Sequence, residues 1–209
     1  MNDLFVFEGL DGSGKSTVAS HLARAIGAKL IVTPPAEIEA LRQRAHDLAL
    51  PGRFHFYSLG NLICSQRLKE ALAKGPVVLD RFYASTLAGL LADDWATASS
   101  LIGELKAYRS IFHQPSYTLF LECTYQVRLE RMAARSKPTS YGDDLCRAYH
   151  AKLSDAYRFV ECALEEKWIR ISTGGKCVEE TLREVLTAVS RESCAEFSVE
   201  TQREALVGV

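Results

Sequence analysis

The stretch FEGLDGSGKST runs from Phe7 to Thr17, and Gly9 to Ser16 within it has the spacing G-x-x-x-x-G-K-[ST]. Glycines let successive backbone N–H groups turn inward around an anion, and the start of a following helix adds partial positive charge there. A lysine at this spacing reaches the outer phosphates of a nucleoside triphosphate, and the serine after it can ligate Mg²⁺. Gly9, Asp11, Gly12, Ser13, Gly14, Lys15, Ser16 and Thr17 are therefore the expected contacts of a triphosphate, with Ser16 on the metal. Glu8 and Asp11 lie in the same stretch, where their charge would repel phosphate. Their presence makes sense if the loop stands between two substrates, with Asp11 pointing away from the phosphates.

Two further groups of residues suit phosphoryl chemistry. The run Leu79-Asp80-Arg81-Phe82-Tyr83 places a carboxylate and an arginine at the end of an apolar segment. Asp80 there can hold a magnesium-bound water, and Arg81 can grip a phosphate with its rigid fork. Arg128, Arg131 and Arg135 recur at i,i+3 and i,i+4 spacing, followed by Lys137 and by a loop-like composition from Pro138 to Gly142. Taken alone this is a solvated basic face paired with Glu130. Following a strand of a phosphate-binding domain, it reads as a lid over about residues 135–144 that brings charge to a transferred phosphoryl group.

Elements must hold these residues in place. Leu4, Phe5, Val6 and Phe7 form an apolar run ending at the glycine turn, and Val18, Leu22 and Ile26 recur at helical spacing up to Gly27, which predicts strand, loop and helix. Apolar runs at 30–32, 77–79, 117–121 and 168–171 predict four more strands. Helical patterns occupy about 36–48, 54–74, 125–134, 144–166 and 178–190, with Pro51-Gly52 separating the first two. Short apolar strands alternating with helices predict an α/β domain, a parallel five-stranded sheet covered on both faces. One domain is expected over 1–209, with a polar tail from about 191 to which no function is assigned.

Composition narrows the function classes. The 209 residues are 47% hydrophobic and 24% charged, with a net charge of −1. No basic excess supports a general nucleic-acid or membrane-surface binder, and no apolar run approaches the roughly 20 residues that span a bilayer. The first strand begins beside Met1, leaving no room for a leader in this sequence, so a cytoplasmic location is expected. Six scattered cysteines without a C-x-x-C pair suggest reduced thiols rather than a zinc site or disulfide framework. No N-K-x-D guanine motif accompanies the phosphate loop, which argues against a GTPase switch.

FEGLDGSGKST, LDRFYAST and PSYTLFLECTYQVRLERMAAR, spread in order over most of residues 3–190, together resemble the thymidylate kinase superfamily of nucleoside monophosphate kinases. The resemblance implies a P-loop NTPase fold with a short lid, a homodimer, and transfer of phosphate from ATP, with Mg²⁺, to a pyrimidine nucleoside monophosphate. It implies catalytic roles for Lys15, Asp11, Arg81, Arg131 and Arg135, a metal site at Ser16 and Asp80, and acceptor contacts at Asp11, Arg42, Arg53, Tyr57, Asn61 and Arg81. The strings TPP…LR, FYSLGN and KEALAKGPVVLDRF are similar to the UMP-CMP kinase 2 branch. They depart from ordinary thymidylate kinases, which have an R-E-P-G-G-type stretch where this chain has Val32-Thr33-Pro34-Pro35. Tyr57 then takes the base-stacking position and Asn61 the place of a base-edge arginine. Each also has a plainer reading, Tyr57 as core and Asn61 as helix surface. Asparagine presents a donor and an acceptor, so a cytosine edge is as readable as a thymine edge. With Ser13 where some relatives have an arginine, charge over the phosphates would come from Arg131, Arg135 or Lys137. Asp11 would accept from the acceptor's sugar hydroxyl or orient a magnesium-bound water, Glu8 would support an arginine, and the loop from Ser172 to Gly175 would approach adenine. A strict dTMP kinase, a nucleoside kinase and an inactive nucleotide-binding regulator are the alternatives.

Overall fold

Strand β1, Leu4–Glu8, is buried at every position. Leu4 and Val6 enter one core, and Phe5 and Phe7 enter another. A strand buries both sides only between two helix layers, the setting of a parallel sheet. The computed structural model describes residues 3–109, 111–134 and 146–207.

After β1 come α1 (Lys15–Ala25), β2 (Lys29–Val32), α2 (Ala36–Glu39), α3 (Arg42–His46), α4 (Leu50–Leu72) and β3 (Val77–Asp80). Then follow α5 (Tyr83–Asp93), α6 (Trp95–Arg109), β4 (Tyr117–Glu122), α7 (Tyr125–Ala133), α8 (Arg147–Leu164), β5 (Trp168–Ser172) and α9 (Val178–Val207). The five described strands are all parallel, in the order β2-β3-β1-β4-β5. Helices α4, α5 and α8 bring Phe54, Leu68, Leu87, Leu91, Tyr157 and Val160 to the core beneath Leu4 and Val6. Helices α1 and α9 bring Val18, Leu22 and Val185 to the other face. Each such side chain, fully buried, contributes about 1.5–3 kcal/mol.

The sheet explains where chemistry can occur. Phe7 of β1 lies level with Asp80 of β3, and Glu8 with Phe120 of β4, so β1 and β3 end within a residue of each other beside β4. The chain leaves β1 toward β2 and β3, then crosses to β4 on the other side. This switch opens a crevice outside the carboxyl ends of the strands.

The five-stranded α/β prediction holds, with local differences. The single helix expected over about 36–48 is two short ones, α2 and α3. The helix expected from residue 54 begins at Leu50, with Pro51 inside its first turn. Proline is harmless there, because those N–H groups have no intrahelical partner to lose. The final helix continues through the polar tail to Val207. The expected lid, including Arg135 and Lys137, lies outside the described residues. Among the described residues no helix is long and apolar enough to cross a membrane.

Candidate active site

Strand β1 delivers the chain into the phosphate loop through Gly9, at φ 132°. A Cβ on Gly9 would stand 2.3 Å from the Leu121 carbonyl oxygen, and one on Gly12 would meet Arg128 at 3.0 Å. Both positions therefore need glycine so that β4 and α7 can close on the loop. The loop ends at Gly14, the residue capping α1, with no side-chain cap on the helix. The first N–H groups of α1 are thus left to an anion.

Lys15 is 5% exposed and donates to the Leu10 carbonyl at 2.7 Å, with Asp11 Oδ1 3.7 Å away. Burial, aided by the charge of Arg81, pulls its pKa down to about 8 against the opposing carboxylates of Asp11, Asp80 and Glu8. Asp11 also binds the guanidinium of Arg81. Its carboxylate therefore lies between the two cations of the site rather than among the loop's N–H groups. Ser13 is 1% exposed and its hydroxyl has no partner, whereas Ser16 and Thr17 are exposed on the first turn of α1.

Arg81 follows β3 in a left-handed conformation, φ 68°, which costs a non-glycine residue about 1–3 kcal/mol and persists only where its surroundings impose it. Here its N–H donates to Phe7 O at 3.0 Å and its carbonyl accepts from the Thr33 hydroxyl at 3.0 Å. Nη1 donates to Ser85 Oγ at 3.2 Å. Burial opposes the charge of Arg81, but Asp11, the Tyr157 oxygen, Glu8 and Asp80 around it hold its pKa above the ordinary arginine value.

Glu8 supports this corner. It is fully buried and accepts from Phe82 N at 2.9 Å, Ser85 N at 3.2 Å and Tyr157 OH at 3.2 Å, as well as from the Ser85 hydroxyl. It thus serves as an N-terminal acceptor for α5 and reaches Arg81 through Ser85 and its field, not through a direct bond. Burial raises its pKa, opposed by Ser85, Arg81 and Phe82.

A cavity of about 480 Å³ opens from here, within the range of small-molecule sites. Asp11, Ser16, Asp80 and Arg81 line it together with Arg42, Arg53, Tyr57 and Asn61. Eight residues singled out in the sequence thus share one space. Asp80 is 5% exposed and its Oδ1 is buried without a hydrogen-bond partner. An orphaned carboxylate oxygen and the Ser16 hydroxyl, lining the same cavity, are hard oxygen donors of the kind Mg²⁺ takes. Tyr57 is half-buried and lines the cavity rather than the core. Its hydroxyl lies 2.9 Å from His46 Nε2. Asn61 is 3% exposed, so it is not a surface residue, and its Nδ2 donates to Thr86 Oγ1 at 3.1 Å. Arg53 pairs with Asp93 at 2.5 Å, Tyr149 OH donates to the same carboxylate at 3.0 Å, and Arg42 pairs with Glu39 at 3.3 Å. The Nε of both arginines is buried and unpartnered.

Arg128 and Arg131, expected with Arg135 to bring charge to the transferred group, lie against the phosphate loop. Arg128 is 1% exposed and its Nε donates to the Asp11 carbonyl at 2.8 Å, under the phosphate loop. Arg131 donates to the carbonyls of Gly12 and Ser13 at 3.4 and 3.3 Å, and to Thr173 Oγ1 and O at 2.9 and 2.7 Å. Thr173 in turn donates to Ser13 O at 2.9 Å. The reason is that α7 packs directly on the loop, so its arginines find backbone carbonyls first. Thr173 belongs to the loop expected near adenine, and its partner here is the phosphate loop. Sequence reasoning missed Ser85, Thr86, Asp93, Tyr149 and Tyr157. LDRFYAST contains the Ser85 signal, but nothing local marks Tyr157, 149 residues from Glu8.

The family model described as Thymidylate kinase matches residues 7–185. The chain belongs to the thymidylate kinase family. That family consists of phosphotransferases, the nucleoside monophosphate kinases. A thymidylate kinase of Geobacter sp. (strain M21) is 27% identical over 224 residues, covering 94% of this chain and 98% of the relative. The human mitochondrial UMP-CMP kinase 2 is 40% identical over 70 residues, which are 34% of this chain and 16% of that larger protein. Among solved structures, the thymidylate kinase of Candida albicans has a TM-score of 0.72 at 21% identity, covering 92% of each chain. A deoxyadenosine kinase of M. mycoides shares the fold at TM-score 0.67 and 13% identity, covering 90% of this chain and 99% of that one. The thymidylate kinase fold therefore accounts for the P-loop NTPase architecture, and for its strand ends meeting at one cavity.

Proposed function

We propose that the chain phosphorylates a pyrimidine nucleoside monophosphate, (d)UMP, (d)CMP or dTMP, with ATP and Mg²⁺. One observation carries this reading: a single cavity joins the end of the phosphate loop to three arginines and an aromatic–amide pair. The loop and Lys15 take the donor phosphates, and Ser16 and Asp80 would hold Mg²⁺, which would neutralise phosphate charge. Arg81, with Arg42, orients the acceptor phosphate in line with the donor, so that positioning and fixed charge supply the catalysis. Asp11 holds Arg81 at this junction and presents a carboxylate to the acceptor's sugar. Tyr57 offers a face for the base, and Asn61 with Thr86 offers hydrogen bonds to its edge. Arg53, tied to Asp93, completes the wall. Arg131 holds the loop in shape.

Release of ADP on incubation with dTMP, dUMP, dCMP, UMP and CMP tests the reading and ranks the bases. Acceptor-dependent ADP is expected from at least one of them; none from any would sink it. Arg81→Ala should lower kcat/KM about a hundredfold or more with little change in melting temperature. The asparagine in place of a base-edge arginine favours this broader panel over a strict dTMP kinase. A homodimer and a cytoplasmic location belong to the same reading, and sedimentation with fractionation of tagged protein tests both.

A further inference from the structure

Helix α3 has only five residues, yet its two ends both line the acceptor cavity, Arg42 at the start and His46 at the close. They are i,i+4 neighbours on one face. On the same cavity wall is Tyr57 of α4, its hydroxyl 2.9 Å from His46 Nε2 and its ring edge-on to the imidazole at 6.1 Å. Arg42 also faces the phenol: burial disfavours its charge, but the oxygens of Tyr57 and Glu39 offset that.

We propose that His46 is the positioning residue of the acceptor site, its neutral imidazole fixing the Tyr57 phenol, and Arg42 through it, in the arrangement that receives the monophosphate. This rests on the cavity's being the acceptor site. A neutral imidazole has one acceptor nitrogen. With Nε2 in that role the phenol donates to it, and the phenol's lone pairs are left facing Arg42. Protonated, both ring nitrogens donate, and the phenol must turn to accept. The phenol then no longer donates to the ring, and a second cation stands beside Arg42 and Arg53.

The charged surroundings favour the neutral ring. Arg42 stands beside it on α3 and Asp47 just after that helix, Arg53 and Tyr57 on α4, Asp93 on α5, and Tyr149 of α8 is bonded to Asp93. Burial, then Arg42, then Arg53 push the pKa of His46 below 6.5, with Asp93 and Asp47 opposing. Asp93 is already engaged by Arg53 and Tyr149. Neutral His46 is therefore the form present near neutrality, and acid costs the site its geometry.

An NMR titration of the histidines in the free protein, with the His46 signal assigned by its loss in His46→Gln, tests the contact itself. Its midpoint should lie below the ordinary value and rise toward it in Tyr57→Phe. Steady-state kinetics from about pH 7.5 to about pH 5.5 test the role. The acceptor's own phosphate titrates in this range, so the readout is the difference between wild type and His46→Gln. Acceptor KM should rise more steeply with acid in wild type, while the KM for ATP shows no such difference. His46→Ala should raise acceptor KM about tenfold near neutrality, as loss of one part-buried hydrogen bond would. His46→Gln, which keeps an acceptor oxygen, should recover most of that. An unmoved midpoint in Tyr57→Phe, identical pH profiles, or equal losses in ATP KM and melting temperature would overturn the assignment of His46. Absence of turnover with every monophosphate would instead overturn the reading of the cavity.

Discussion

At the scale of single residues the site is a balance of buried charges. Lys15 loses its proton near pH 8 in the free protein, because burial and Arg81 outweigh three carboxylates. An unfolded lysine keeps its proton to about pH 10.4. The charged form therefore weighs against folding below pH 8, and this group's contribution to stability rises between about pH 8 and about pH 10.4. Phosphates favour the charged form, so ATP binding near pH 8 to 9 should take up protons and weaken as pH rises further. Calorimetry in buffers of different ionisation enthalpy checks this; a binding heat independent of buffer would refute it. Gly9→Ala is the other sharp case, since the new Cβ meets the backbone of Leu121, which cannot swing aside. A cost of about 3 kcal/mol is expected, or roughly 6–12 °C in melting temperature for a chain of this size.

At the scale of elements, short connections and helix ends do the positioning. The N-cap of α7 is Thr124, whose side chain accepts from Val127 N at 3.3 Å. That helix carries Arg128 and Arg131 to the carbonyls of the phosphate loop. Thr124→Ala should cost about 1 kcal/mol, and because it loosens the support of the loop it should weaken ATP binding more than acceptor binding. Equal effects on the two substrates, measured by separate KM values, would mean that α7 does not brace the donor side. The start of α5 shows the same logic with a longer reach. Glu8 of β1 accepts from Phe82 N and Ser85 N there, so the end of one strand fixes the helix beside Arg81.

At the scale of the whole molecule, the two cores on either side of the sheet hold these ends level. Leu79 is fully buried in the middle of β3, and Leu79→Ala should destabilise the fold by about 2–5 kcal/mol. It touches no substrate in the proposed site, so kcat measured well below the melting temperature should change little; a large fall in kcat at unchanged stability would contradict this division. The sequence by itself determined the phosphate loop, because its function depends on glycine spacing and on one following helix, both local. It also determined the parallel sheet, since buried strands on both faces leave a plain apolar pattern. Asp80 and Arg81 were legible for the same reason, standing at the end of such a strand. Tertiary structure decided what no local pattern encodes. The arginines of α7 have the spacing of an exposed face, yet packing on the loop buries Arg128 and commits Arg131 to backbone carbonyls. Pro51 reads as a break and begins a helix. Glu8 meets Tyr157 across 149 residues, and His46 meets Tyr57 only because two short helices fold back over α4. Such pairings depend on which elements the sheet order makes neighbours, and that order is a property of the folded chain.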